Sequence, residues 1–153
     1  MTLIAILIAG VIFIVKPSKI LEKSRDSQRS SDMKNLTTAL AKYLADGHDF
    51  KGLVGPYSSI DAGFTNNTAL ENIDGSGWIP LNFKLISTGA PFDLLPIDPL
   101  NNTIYNYRLG VSQSSKTYEI DCVFESPENI TKLSTDGGNN PNVYELGTDL
   151  TIL

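Results

Sequence analysis

The chain has 153 residues, of which 41% are hydrophobic and 19% are charged, as is typical of one globular domain with an appendage. The single cysteine, Cys122, excludes an intrachain disulfide and therefore a disulfide-stapled secreted domain. Residues 1–45 carry seven basic and three acidic side chains, whereas residues 46–153 carry five basic and fourteen acidic ones. The acidic second part argues against nucleic-acid binding, because contacts with phosphates require a basic surface.

The first fifteen residues, MTLIAILIAGVIFIV, are uncharged and mostly apolar. As a helix they would rise about 22 Å, less than the roughly 30 Å of a bilayer's hydrocarbon core. A signal peptide fits poorly, because no basic residue precedes the run and no A-x-A cleavage site follows it. A short core helix fits poorly too, because a helix that is apolar on every face must be buried on all sides. We therefore expect this helix to be buried among copies of itself.

The residues predicted to pack among these copies, the candidate filament core under the family resemblance given below, are the apolar and small residues of this helix. They are Leu3, Ile4, Ala5, Ile6, Leu7, Ile8, Ala9, Gly10, Val11, Ile12, Phe13 and Ile14. Gly10 and Pro17 should break the helix, because glycine is a poor helix former and proline removes a backbone hydrogen bond. The sequence predicts a kinked or locally extended backbone between these two positions.

Residues 22–32 (EKSRDSQRSSD) contain no apolar side chain, which predicts a solvated spacer helix. Apolar residues then recur at helical spacing, and this stripe should pack on a head domain. The stripe consists of Met33, Leu36, Leu40, Tyr43 and Leu44. Gly47 stands where helices commonly end. The sequence thus predicts one long helix, a stalk over residues 1–32 and a globular head over residues 33–153.

The head is predicted to hold an irregular region over residues 51–103 and a sheet over residues 104–153. In the irregular region, Trp78, Phe83 and Leu95 are expected anchors, and a short helix is expected near residues 81–87. Alternation in KTYEIDCVFES predicts a half-buried strand. The buried face of this strand should hold Tyr118, Ile120, Cys122 and Phe124. TIYNYRLG should pair with it, and NVYELG and DLTIL should form short closing strands. The predicted fold is α+β, a long N-terminal helix on a small antiparallel sheet.

The segments TLIAILIAG and RSSDMKNLTTALAKYL resemble the N-terminal helix of the type IV pilin and pseudopilin family. GWIP, LPIDPLNN and DGGNNPNVYELGTDL resemble the heads of pilins related to the major type II secretion pseudopilin. The resemblance implies a major pilin, a structural subunit that polymerises through its apolar helix into an extracellular, cell-surface filament. Its expected partners are further copies of itself, the inner membrane before assembly and the pilus assembly machinery.

Two alternative functions remain open on the sequence. The chain could be the pseudopilin of a type II secretion-like machine, or a membrane-anchored monomeric domain that binds a ligand through residues 51–103. No nucleotide-binding loop and no zinc spacing is found, so neither an enzyme nor a cofactor is expected.

One position departs from the family pattern. The family's mature chain usually has a glutamate at its fifth position, and a direct alignment places Ala5 there. In the other register, about nine family positions, the glutamate included, lie upstream of Met1, and the run of roughly 24 residues would span a bilayer. A basic leader would also remove a conflict with the positive-inside rule. We favour this second register, which predicts an in-frame upstream segment; a true Ala5 variant is the alternative.

No metal site is predicted, although two loops were considered for calcium. In ENIDGSGW the twelfth position, where calcium loops have a bidentate acid, is Phe83. Related pseudopilins hold calcium in a late loop, which makes Asp136 in STDGGNNPN a calcium candidate, but an Asp-Gly turn is favoured. His48, the only histidine, is expected to be a solvated loop residue. Glycosylation sequons stand at Asn35, Asn66, Asn101 and Asn129.

Overall fold

The computed structural model describes residues 17–60 and 67–153. Helix α1 (Pro17–Ala45) packs on an antiparallel sheet with the strand order β1-β2-β3-β4. The strands are β1 (Tyr57–Ser58), β2 (Arg108–Ser112), β3 (Thr117–Cys122) and β4 (Tyr144–Gly147). The predicted α+β class, a long helix on an antiparallel sheet, is confirmed. The predicted filament-core residues 3–14, with the helix break at Gly10, lie outside the described residues.

The C-terminal end of α1 follows from local sequence. The described helix starts at Pro17, a residue that the first turn of a helix tolerates because first-turn amides have no intrahelical partner. At the other end Gly47 has a φ of +86°, and its N–H donates to Leu44 at 3.0 Å. The N–H of His48 donates to Tyr43 at 3.3 Å, and the two rings stack 4.5 Å apart. This pattern satisfies the last helical carbonyls and fixes the exit of the chain.

The core lies between α1 and the sheet. Along α1 the buried residues include Met33, Leu36, Ala39, Leu40 and Tyr43, with Leu44 half-buried at the edge. The sheet contributes Leu109, Tyr118, Ile120 and Cys122, while Tyr107 precedes β2 and Phe124 follows β3. The hydroxyl of Tyr118 donates to the backbone carbonyl of Thr37 at 3.1 Å, which ties the sheet to the helix. Every core residue named from the sequence is therefore buried or half-buried in the head.

Several expectations about the head were wrong in detail. The strand predicted in TIYNYRLG begins only at Arg108, and DLTIL forms no strand. The helix expected near residues 81–87 is a single 3-10 turn, Phe83–Leu85. Conversely, the irregular region contains β1, a two-residue edge strand, and the four-residue helix α2 (Asn67–Leu70). A 3-10 turn (Pro127–Asn129) and helix α3 (Ile130–Leu133) join β3 to β4.

The second face of β3 is buried as well, so the prediction of a half-exposed strand was wrong. Glu119 and Asp121 are 0% and 2% exposed. One oxygen of Glu119 accepts the backbone N–H groups of Ile152 (2.7 Å) and Leu153 (2.9 Å), so the segment after β4 covers this face. The Arg108 guanidinium lies 3.4 Å from the Asp121 carboxylate. Burial nevertheless raises the pKa of Asp121 to about 6, with a further rise from Glu145.

The raised pKa of Asp121 predicts how stability depends on pH. The folded-state pKa lies above the unfolded one, so this contribution is present below about pH 4 and is lost as the pH rises through 6. We expect the stability of Asp121→Asn relative to the parent protein to be higher at pH 8 than at pH 5. Only the parent loses stability over this range as the Asp121 carboxyl ionises. Urea denaturation at both pH values measures the change, and an equal difference at the two values would contradict it.

A glycine allows close packing in the loop region. A Cβ atom at Gly77 would lie 2.1 Å from the carbonyl oxygen of Asn72 and 2.8 Å from that of Leu70. Both are backbone atoms that cannot rotate away, and the Leu95 side chain lies 2.7 Å from the same point. The adjacent Trp78 is buried, and its indole N–H donates to the Pro96 carbonyl at 2.9 Å. Gly77 therefore lets the backbone of residues 70–72 and the Leu95 side chain pack closely against this segment.

We expect Gly77→Ala to destabilise the protein by several kcal/mol, because backbone atoms would have to move apart. Gly89→Ala is the matched control. Gly89 has a φ of +79° but open space around it, so its substitution should cost only about 1–2 kcal/mol. Thermal and urea unfolding measure both variants. Equal losses would show that the close approach at Gly77 is unimportant.

Candidate functional site

Arg29 lies at the centre of five charged residues that join α1 to the head. Its guanidinium is 0% exposed and contacts three carboxylates. Nε and Nη2 donate to Asp98 at 2.6 and 2.9 Å, and Nη1 donates to Asp26 at 2.9 Å and to Glu125 at 2.6 Å. Arg25 Nε donates to Glu125 at 2.6 Å. We call these residues the helix–head charge cluster.

Asp26 ties the helix to the backbone that follows β3. Its carboxylate accepts the backbone N–H groups of Glu125 and Ser126, each at 2.8 Å, and the side-chain amide of Asn129 at 2.9 Å. These bonds come in addition to that from Arg29, so both carboxylate oxygens are used. Because Asp26 is fully buried, these hydrogen bonds offset the free-energy cost of removing its charge from water.

Asp98 makes the equivalent connection to the irregular region. One of its oxygens accepts the backbone N–H of Leu100 at 2.8 Å, a local turn that orients the carboxylate towards Arg29. Arg29 also lies over the ring of Tyr105, with 4.9 Å between the guanidinium carbon and the ring centroid. Three separated parts of the head thus contact one helical side chain.

Contacts within the cluster shift the pKa values of Arg29 and Glu125 towards their charged forms. Burial by itself lowers the pKa of Arg29, but the hydrogen bonds that Arg29 donates to Asp98 and Glu125 outweigh this effect and raise the pKa above its ordinary value. The hydrogen bond from Arg25 lowers the pKa of Glu125, and Arg29 lowers it further. Two guanidinium groups face three carboxylates, so the cluster carries a formal charge of −1 and is nearly neutral as a unit.

The prediction that residues 22–32 are a solvated spacer was wrong for one face of the helix, because Asp26 and Arg29 are fully buried there. Asp26 and Arg29 lie at i and i+3, and the helical spacing of three or four residues continues to Met33 and Leu36 in the core stripe. A periodicity search that includes charged residues could have found this continuation. No local sequence pattern marks Asp98 and Glu125 as the partners of Arg29, since they lie 69 and 96 residues from it.

A groove of about 380 Å³ lies next to the cluster, between the flank of α1 and the chain around residues 92–99. Gln28, Asp32 and Asn35 line its helical side. Asp32 accepts the hydroxyl of Tyr107 at 2.8 Å, while burial raises the pKa of Asp32. A second groove of about 330 Å³ lies between Val54, Arg108 and the last residues of the chain.

The structure also places the remaining residues singled out from the sequence. Asp136 accepts the N–H of Gly138 at 3.0 Å and that of Glu145 at 2.9 Å, so both oxygens serve a turn. Within residues 17–60 and 67–153, no group of three side chains is arranged to hold a metal. Of the sequons, Asn35 lines the first groove, Asn129 binds Asp26, Asn101 binds Ser59, and Asn66 lies outside the described residues.

Comparisons with protein-family models, with curated proteins and with solved structures found no match. In the part of the chain that the structure describes, no helix is both long enough and apolar enough to cross a membrane.

Replacing Arg29 tests whether the cluster holds the helix to the head. Arg29→Met keeps the length of the side chain but leaves three carboxylates without their shared partner. We expect a loss of about 3–5 kcal/mol in the free energy of unfolding, as when one member of a buried ion pair is removed. Lys23→Met is the control, because its pair with Glu128 (2.7 Å) is exposed and worth about 0–1 kcal/mol. If urea denaturation gives the same loss of unfolding free energy for both variants, the cluster holds the helix no more strongly than an exposed ion pair does.

Proposed function

We propose that the protein is a major pilin-like structural subunit that polymerises into an extracellular filament through its apolar N-terminal segment. The supporting observation is how α1 leaves the head. Its first two turns, residues 17–24, make few contacts with the head, and Ile20 and Leu21 are 53% and 57% exposed. The uncharged apolar run of residues 1–15 precedes these turns in sequence. A helix that extends from a head and is preceded by such a run suits lateral association of identical helices.

The helix–head charge cluster is consistent with this proposal. A subunit held in a filament by its N-terminal segment must transmit force from that segment to its head. The cluster contains the first fully buried side chains of α1, and it connects them to the chain on either side of the sheet's central hairpin. Hydrogen-bonded ion pairs have defined geometry, so they fix the angle at which the helix leaves the head.

The same architecture would serve a pseudopilin that forms a short filament in a secretion machine, or a membrane-anchored monomer. The second groove and the loop region could bind a ligand in the monomeric case, but they hold no chemistry that favours a particular one. Filament formation by the isolated protein separates the polymer from the monomer. The length of the filaments on cells separates a pilus from a secretion pseudopilus.

The decisive experiment replaces an apolar residue of the N-terminal run. Ile8→Asp should abolish filaments in material sheared from cells, because a charge would be buried among apolar copies. Leu85→Asp is the matched control, since Leu85 is an exposed residue of the head, and this variant should keep its filaments. Electron microscopy and the protein content of the sheared fraction measure the result. Normal filaments from Ile8→Asp would overturn the proposal.

Two fragments test that the head does not polymerise by itself. Residues 17–153 retain the whole cluster and should form a soluble, folded monomer. A fragment over residues 30–153 lacks Arg29 and should unfold at lower urea concentration, since Asp98 and Glu125 lose their buried partner. Sedimentation and urea denaturation measure these properties. Polymerisation of the 17–153 fragment would contradict the assignment of assembly to the N-terminal run.

A further inference from the structure

The rim of the first groove has an apolar surface flanked by unpaired negative charge. Leu94 is 53% exposed, and Phe92 beside it is half-buried. Asp93 adjoins both in sequence, and Glu71 lines the groove nearby. In the described part of the chain, neither Glu71 nor Asp93 has a side-chain hydrogen bond or ion pair. This rim is therefore suited to a partner that presents an apolar side chain between positive charges.

The exposed first turns of α1 present that complementary chemistry. Ile20 and Leu21 are more than half exposed and lie between Lys19 and Lys23 in sequence. Each lysine has an intramolecular partner, Glu22 at 3.4 Å and Glu128 at 2.7 Å. Both lysine side chains are about half exposed, and exposed pairs contribute little and are readily exchanged. The lysines are thus available to an acidic surface on another molecule.

We infer that the first two turns of α1 from a second copy of this chain dock against the rim of the groove. Ile20 of that copy contacts Leu94, and its Lys19 and Lys23 face Glu71 and Asp93. The contact is intermolecular, because Ile20 precedes Gln28, the nearest groove residue of its own helix, by about 12 Å along a rigid axis. The acidic head and basic helix also attract each other at longer range.

This inference rests on the proposed filament, and it names a head-to-helix contact beyond the association of the N-terminal runs. A crosslinking experiment tests it on the full chain. Cys122→Ala removes the native thiol, and Ile20→Cys with Leu94→Cys places one thiol on each proposed surface. Oxidised filaments should then give a ladder of covalent multimers in a denaturing gel, which collapses to monomer on reduction.

The control pair is Ile20→Cys with Val54→Cys. Val54 is 83% exposed and lies in the second groove, away from the rim. Filaments of the Ile20/Leu94 pair that give a ladder at least about tenfold stronger than the control support the contact. The contact is overturned if filaments of the Ile20/Leu94 pair give no ladder, or if the control pair gives a stronger one. The proposed pilin-like function is unaffected by that outcome. Absence of filaments from the parent protein overturns both.

A charge exchange keeps the inference testable if the cysteine variants assemble poorly. Glu71→Lys with Asp93→Lys should reduce filament yield about tenfold, because like charges would then face each other across the contact. Adding Lys19→Glu and Lys23→Glu should restore the yield. The control is Asp49→Lys with Lys116→Glu, which changes exposed charges elsewhere on the head. The docking is overturned if the double lysine variant loses filaments and the added glutamates do not restore the yield. It is also overturned if the control loses as much yield.

Discussion

One guanidinium group joins the turns of α1 that precede Met33 to the head. Arg29 contacts a carboxylate from its own helix, one from the irregular region and one from the chain after β3, and none of its surface reaches solvent. A buried charge is stable only when its partners are in place. The helix, the irregular region and the chain after β3 must therefore reach their positions together. The apolar stripe begins only at Met33, which leaves the orientation of the preceding turns to this cluster. The path of the proposed stalk therefore depends on electrostatics more than on hydrophobic packing.

The sequence predicts the parts of the head in which apolar residues repeat. Leu36, Leu40 and Tyr43 mark one helical face, and Tyr118, Ile120 and Cys122 mark one face of a strand, and all are buried. Helical termination at Gly47 is equally local, since one residue with positive φ and two backbone bonds specify it. These features can be predicted because each depends on side chains only a few positions apart.

The charged interior could not be predicted in the same way. A polar segment is solvated unless distant residues neutralise it, and the partners of Arg29 are specified by the completed fold. The same holds for Glu119, whose position in an alternating strand suggests exposure. It is buried because the backbone of Ile152 and Leu153 crosses over that face and donates to its carboxylate. In both cases a polar side chain that would be expected in solvent is buried, because a residue distant in sequence supplies its hydrogen bonds.

The long sequence separation within the cluster has a consequence for synthesis. Arg29 is made early, Asp98 comes 69 residues later, and Glu125 comes 96 residues later. Until the ribosome has passed Glu125, which follows β3, Arg29 lacks at least one of its two distant carboxylates. During that interval the beginning of the chain can engage other surfaces without the angle that the head later imposes. The finished head then restrains the first turns of α1, so the orientation of this helix is fixed late in synthesis.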